Sequence, residues 1–127
     1  MINISKIIYD KLINDSRISD YIDDNWLTID WEQASQSATA PNLILNRITW
    51  NTNIIWRRLE IYQISIWETS KSKAEDLRNI VLDIFNRLKE WDVLYSNLEN
   101  SISDYDNTLK EFWEHLSFKF KMIDSDF

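Results

Sequence analysis

Few side chains in this sequence are suited to acid–base or nucleophilic chemistry. There is one histidine, His115, and there is no cysteine. Histidine serves as the general base of catalytic triads, but Glu114 and Ser117 beside it do not form a triad pattern. The lack of cysteine excludes disulfides, thiolate nucleophiles and cysteine-based zinc sites. We therefore interpret His115 as a structural or surface residue and predict no catalytic residue.

Closely spaced acidic residues are the remaining candidates for a ligand site, because carboxylate oxygens bind divalent cations. The pairs are Asp23 with Asp24, Asp30 with Glu32, and Asp104 with Asp106. The stretch from Asp104 to Asn107 is faintly similar to a calcium loop, but the defining glycine and the terminal glutamate are missing. We interpret these pairs as solvated loop charges, and we predict no metal and no cofactor.

Glycine is absent from the sequence, and this limits both the phosphate-binding loops and the turn types that the chain can form. Phosphate-cradling loops need glycine where the backbone approaches phosphate oxygens, so a P-loop and a dinucleotide fingerprint are excluded. Turn positions with positive φ must then fall mostly to Asn and Asp. The predicted turns are 14–16, 51–53 and 104–107.

Charge and aromatic content constrain the partners. The net charge of −7 disfavours binding to DNA or RNA phosphates. Tryptophan and tyrosine can stack on bases, but such platforms are surrounded by positive charge. Seven Trp, five Tyr and five Phe exceed what one small core readily absorbs, so we expect some at a protein interface. We see no apolar run for a membrane span and no signal peptide, and we expect synthesis in a cytoplasm.

The hydrophobic pattern predicts one α+β domain over residues 1–127, with elements in the order α-α-β-β-β-α-β-β. Apolar residues at helical spacing predict a first helix over residues 3–14, which a break at 14–16 ends. A second helical turn follows, capped by Asp15 or Ser16, and then a short strand between Trp26 and Trp31. Residues 32–41 are polar and read as a loop. A strand is possible around 98–103, and 112–123 alternates as a half-buried antiparallel strand.

The central segment is a β-hairpin that feeds a helix. Residues 42–50 and 54–68 are predicted strands joined by a turn at 51–53. Alternation in the return strand is imperfect, so either both faces are covered or a bulge near Ile61 shifts the register; we favour the bulge. Ser72 and Glu75 have the form of a capping box for a helix with its apolar face between Ala74 and Leu88. We expect this helix to end at Trp91 and Asp92 and to lie across a mostly antiparallel sheet.

This order of elements resembles the tail-terminator (tail-completion) proteins of long-tailed bacteriophages. The matching segments lie in the N-terminal helices, the entry to the hairpin, the long strand with its helix, and the final strand. They are Ile7 to Ile13 with Tyr21 and Ile22, Ala40 to Leu45, Leu59 to Trp67 with the helix 72–88, and Leu116 to Phe120. Two features depart from the family pattern: the absence of glycine and the tryptophans near the hairpin tip.

The resemblance implies a structural virion protein, not an enzyme, that forms a homo-oligomeric ring, a hexamer, in the tail or neck region. Such a ring ends the tail tube and presents a surface to the head–tail connector or stopper protein. DNA passes through its lumen without specific binding, there is no membrane partner, and assembly takes place in the host cytoplasm. Surplus aromatics and open strand edges are compatible with such an assembly.

The hairpin tip is our predicted contact with a neighbouring subunit or the tail tube. Its residues are Trp50, Ile54, Ile55, Trp56, Arg57 and Arg58. The alternative for the tip is that it folds back onto its own core. Alternative functions are a head-completion or neck adaptor protein and, from another class, an acidic monomeric inhibitor or binding module that masks a basic partner. A small hydrolase is more distant, since only His115 and scattered carboxylates could serve it.

Overall fold

The computed structural model describes residues 4–25, 28–31, 42–54, 57–86, 93–108 and 110–123. They form three helices and five strands in the predicted order. The helices are α1 (Ile4–Asn14), α2 (Ser16–Asn25) and α3 (Lys71–Phe85). The strands are β1 (Thr28–Trp31), β2 (Asn42–Ile54), β3 (Arg57–Glu68), β4 (Val93–Asp106) and β5 (Glu111–Ile123). The strand β4 is therefore much longer than the predicted segment 98–103.

The five strands form one sheet in the order β1-β2-β3-β5-β4. All neighbouring pairs are antiparallel except β1 and β2, which run parallel. The hairpin β2–β3 and the later strands β4 and β5 thus share a sheet, with β3 and β5 in its centre. This arrangement confirms the predicted α+β class and the mostly antiparallel sheet.

The bulge that we favoured in the return strand near Ile61 is wrong, and the irregularity beside this position lies in the partner strand β2. β3 pairs with β5 along its whole length without interruption. In the β2–β3 ladder, Arg47 pairs with Tyr62 and Thr49 pairs with Ile61, so Ile48 is the extra residue. A bulge in β2 leaves the alternation of β3 intact, which explains how β3 keeps one fully packed face.

The predicted turn at 51–53 is wrong. β2 continues through these residues to Ile54, which pairs with Arg57, and a second register irregularity separates Asn51 from Ile54. Continued pairing with β3 outweighs the local turn preference of asparagine. Among the residues that the structure describes, the positive φ belongs to Lys110 (55°) in the β4–β5 connection, not to an asparagine or aspartate.

The hydrophobic core lies between the three helices and one face of the sheet. From the helices, α1 contributes Ile4, Ile8 and Leu12, α2 contributes Ile18, and α3 contributes Leu77, Val81 and Phe85. The sheet contributes Leu43, Leu45, Tyr62, Ile64, Ile66, Leu116, Phe118 and Phe120. Within this core the Phe85 ring lies 5.7 Å from Phe118 and 6.2 Å from Phe120 between ring centroids. The predicted packing of α3 across the sheet is therefore confirmed.

Both ends of α3 differ from the prediction. Ser70, and not Ser72, is the N-cap: its backbone is extended and its side-chain oxygen accepts from the Lys73 amide. The Glu68 carboxylate accepts from the Thr69 amide at 2.8 Å and so holds the approach to the helix. The helix ends at Phe85, because the backbone of Asn86 is extended. The predicted end at Trp91 and Asp92 is thus wrong, and Leu88 lies outside the described residues.

An ion-pair cluster joins α2 to α3. Asp15, in the predicted break between α1 and α2, accepts from the Arg17 amide at 2.9 Å and forms a two-oxygen pair with the Arg17 guanidinium. Arg17 also reaches Asp83 of α3 at 2.7 Å. The hydrogen bond from the Arg17 side chain holds the pKa of Asp15 below its usual range.

We expect Asp15→Asn to lower the free energy of unfolding at pH 7 by less than about 1 kcal/mol, because asparagine keeps the capping oxygen and loses the charge. Because the pKa of Asp15 is lowered in the folded state, its ionised form stabilises the fold at pH values above the ordinary carboxyl pKa of about 3.9. This stabilisation is lost as the pH falls through the lowered pKa. Urea denaturation of both proteins at neutral and strongly acid pH measures this effect. A difference that stays unchanged in acid would contradict the ion-pair account.

Candidate interaction surface

The face of the sheet opposite the core has no described helix packed on it. We call it the uncovered face. Because side chains alternate along a strand, it carries the residues of β3 and β5 that lie between the core positions. They are Leu59, Ile61, Gln63, Ser65 and Trp67 from β3, and Glu111, Trp113, His115, Ser117, Lys119 and Lys121 from β5. Most are half-buried rather than fully exposed.

Three stacked rings occupy this face where β3 and β5 meet. Trp67 and Trp113 are directly opposite in the register, with ring centroids 5.3 Å apart and planes 5° from parallel. His115, two residues along β5, stacks on Trp113 at 5.6 Å and 9°. We call these three residues the aromatic ladder. It presents flat apolar surface whose position is fixed by strand pairing.

Polar partners hold the two ends of the aromatic ladder. The indole N–H of Trp67 donates to a carboxylate oxygen of Glu111. The Ser65 hydroxyl and His115 Nδ1 are 2.8 Å apart, and Ser65 is largely buried. These bonds fix the ring orientations, so the aromatic ladder is a preformed surface that needs little ordering on contact with a partner.

Among the residues that the structure describes, Ser65 and His115 form the pair that has the arrangement of a nucleophile and its base. A serine nucleophile also needs free backbone N–H groups to stabilise an oxyanion. β3 is paired on both sides, to β2 and to β5, so its amides are committed to the sheet. In the described part of the chain no carboxylate hydrogen bonds to His115. The geometry therefore supports a structural role for the pair, the role that the sequence suggested for His115.

Three buried glutamates are also accounted for by local hydrogen bonds. Glu60 accepts from the Tyr62 hydroxyl at 3.1 Å, and Glu114 accepts from Ser103. Glu68 holds the approach to α3 as described above. Burial, reinforced by the charge of Glu60, raises the pKa of Tyr62. These carboxylates satisfy neighbouring donors and do not converge on one site.

The acidic pair that can be placed, Asp104 and Asp106, caps local backbone. Asp104 accepts from the Tyr105 amide at 2.8 Å and Asp106 accepts from the Thr108 amide at 2.9 Å. Across the described ranges, no group of three His, Cys, Asp or Glu is placed to hold a metal ion. The side chains of the other two predicted pairs, Asp23 with Asp24 and Asp30 with Glu32, lie outside the described residues.

The predicted hairpin-tip site is placed only in part. Ile55 and Trp56 lie outside the described residues, as do the side chains of Trp50, Ile54, Arg57 and Arg58. The backbone pairs Trp50 with Glu60, and Arg57 with both Ile54 and Ile123. The tip is thus the end of the sheet where β2, β3 and β5 meet, and its contact role stays a prediction.

Sequence reasoning missed the aromatic ladder. Trp67 follows Ile64 and Ile66 with the opposite parity, and Trp113 and His115 likewise alternate with Leu116 and Phe118 of β5. That alternation could have placed all three rings away from the core. Their contact across strands depends on the register between β3 and β5, which the sequence does not display.

The fold defines a class: an α+β protein with one sheet face packed under helices and no described helix on the other. Sequence comparison finds no matching protein family and no matching curated protein. No helix in the described ranges has the length and apolar character needed to cross a membrane.

Solved structures do share the fold. One is a chain of a structure described as "Virion of native gene transfer agent (GTA) particle". It is similar to this chain with a TM-score of 0.66, and the match covers 91% of each chain at 9% sequence identity. At that identity the likeness establishes a common fold.

The stacked indoles should produce an exciton couplet in the circular dichroism spectrum. We expect Trp67→Phe and Trp113→Phe each to remove the couplet, because each takes away one member of the pair. Each substitution should lower the free energy of unfolding by only about 1 kcal/mol, the scale of one aromatic contact. Tyr105→Phe, which alters a tilted pair with Phe112, is the matched control and should leave the couplet in place. A couplet that survives both tryptophan substitutions would contradict the stacked arrangement.

Proposed function

We propose that this chain is a structural protein of a phage-like virion. The observation that carries the proposal is the near-complete fold match to a chain from a gene transfer agent virion, which spans 91% of both chains. A match that extends over the whole of both chains is stronger support than a shared supersecondary motif. The proposal places the protein in the virion and gives it an assembly role without catalysis.

Within that class, we favour a tail terminator: a ring, a hexamer, that ends the tail tube and faces the head–tail connector or stopper protein. The support is the element order, in which paired N-terminal helices precede a hairpin, a long strand with its helix, and a closing strand. The sequence resemblance to tail terminators rests on the same order. In this role the protein assembles in the host cytoplasm and remains in the tail or neck of the particle.

The charge and surface of the chain suit a ring around DNA. A net charge of −7 disfavours tight contact with phosphates, so DNA could pass through a lumen without being held. The half-buried aromatic ladder offers contact area to another protein. The hairpin tip, with two tryptophans and two arginines in its sequence, remains our proposed contact with the tube or the adjacent subunit.

A head-completion or neck adaptor role is the alternative within the class, since the fold match favours neither position in the virion. The acidic inhibitor or binding module is the alternative from another class, and the net charge supports it. That module would act as a monomer on a basic partner, whereas the virion roles require self-assembly.

Purified protein mixed with tail tube protein separates these roles. We expect light scattering to detect a ring-sized oligomer, and electron microscopy to show it on tube ends, with elongation of capped tubes stopped. Trp50→Ser with Trp56→Ser should weaken tube capping about 30-fold or more while circular dichroism shows an intact fold, the scale of an interface hot spot of 2 kcal/mol. Ile13→Ser, at a 37% exposed position of α1, is the matched control and should cap normally.

Each contrary outcome has a meaning. A strict monomer that does not bind tube ends would contradict the terminator role and favour the acidic inhibitor or binding module. A ring that binds the connector but leaves tubes elongating would favour the neck adaptor. Unfolding of the double tryptophan variant would assign the tip to the core.

A further inference from the structure

Within the described part of the chain, neither outer edge of the sheet has a partner strand along its full length. β4 forms one edge and pairs only with β5 among the described strands. On the other side, β1 pairs with β2 from Asn42 to Leu45 and stops. From Asn46 onward, the described partner of β2 is β3 alone. Such edges present a row of backbone donors and acceptors to a further strand.

Exposed apolar side chains coincide with these edges. Ile48, the bulge residue of β2, is 49% exposed. On β4, Ile102 is 51% and Tyr105 is 41% exposed. Large apolar residues on an open edge favour pairing with another strand, and soluble monomers usually avoid them.

The charges of the two edges are opposite in sign. Over its whole length β4 carries Glu99, Asp104 and Asp106 and no basic residue. β2 carries Arg47, which is exposed, and no acidic residue. Pairing of β4 with a second β4 would place two acidic strands side by side, whereas pairing of β4 with β2 places the acidic strand beside one whose charged residue is basic.

Strand directions allow the sheet to continue from one copy into the next. β2 is antiparallel to β3, β3 to β5, and β5 to β4, so β4 runs opposite to β2. If a second copy continues the sheet in the same orientation, its β2 lies antiparallel to the β4 of the first copy. The contact is then head-to-tail, the type that closes into a ring when each step adds a fixed rotation.

We propose that a second copy of this chain pairs the part of its β2 that begins at Asn46 with the β4 edge of its neighbour. The pairing uses β4 beyond the bulge at Glu99, from Asn100 to Asp106. It forms one sheet across subunits, with Ile48 of one copy near Ile102 of the next. The closure of this chain of contacts into a ring rests on the proposed function, but the edge pairing itself does not.

The absence of cysteine permits a clean cross-linking test. The variants are Ile48→Cys, Ile102→Cys and the double variant, each treated with a short bis-maleimide and run on a denaturing gel. We expect the double variant to give a ladder from dimer up to the ring size. Each single variant should remain a monomer, and a mixture of the two should stop at the dimer. Ile13→Cys with Ile102→Cys is the matched control and should form no ladder.

Self-linked dimers of either single variant would overturn the head-to-tail pairing in favour of a two-fold one. A double variant that assembles but does not cross-link would place the interface elsewhere. If the cysteines prevent assembly, charge exchange decides the matter. Arg47→Glu alone should weaken assembly about tenfold, because it adds a negative charge beside an acidic strand. Adding Ser103→Arg, opposite residue 47 and on the same face of the sheet in the proposed pairing, should restore it. Failure of that restoration would also overturn the pairing.

The outcomes separate this proposal from the proposed function. Rings on tube ends without a series of cross-linked oligomers on the gel would contradict the edge pairing and leave the terminator role intact. A ladder whose products never bind tube ends would support the edge pairing and contradict the terminator role. Monomers without ladders would contradict both.

Discussion

The packing of α3 across the two central strands is the interaction on which the rest of the structure depends. Phe85, in the last turn of the helix, contacts Phe118 and Phe120 of β5. Its backbone carbonyl also accepts a hydrogen bond from the Ser96 hydroxyl, which ties the edge strand β4 to the helix. Loss of a buried phenylalanine of this kind costs about 3–5 kcal/mol, a large part of the stability of a small domain.

The packing of α3 uses one face of the sheet. The other face and the two edges contribute no buried residue to the described hydrophobic core. The central strands carry buried side chains on the helix side and half-buried ones on the uncovered face. The aromatic ladder is held by hydrogen bonds on that uncovered face, and Ile48, Ile102 and Tyr105 are exposed along the edges. In the assembly role that we propose, folding and subunit contact would therefore use different parts of one sheet.

The fold was predictable where local pattern and burial agree. The face of α3 could be read from the spacing of Leu77, Val81 and Phe85, because a helix with one apolar stripe must bury it. Its N-cap could not be predicted, since serine is a common N-cap residue and occurs at both 70 and 72. The structure assigns the cap to Ser70, whose backbone is extended, whereas Ser72 lies inside the helix. The run at 51–53 favours a turn locally, yet pairing with β3 prevails.

The candidate surface was less predictable than the fold, because it depends on register. The stacking of Trp67 on Trp113 follows from a cross-strand pair between residues 46 positions apart in the chain. The bulge is a second example: imperfect alternation in β3 predicted a bulge near Ile61, whereas β3 is regular and the extra residue, Ile48, lies in β2. Sequence periodicity records which face a residue takes, while the identity of its neighbours is a property of the sheet.

Hydrogen–deuterium exchange in the monomeric and assembled states tests the central claim, that folding and assembly use different parts of one sheet. The account predicts that assembly slows exchange of the amides from Asn100 to Asp106 in β4 and of the β2 amides after Asn46, while those of α3 and β5 stay unchanged. Protection confined to the helices, with the β4 edge still exchanging freely in the assembled protein, would contradict it.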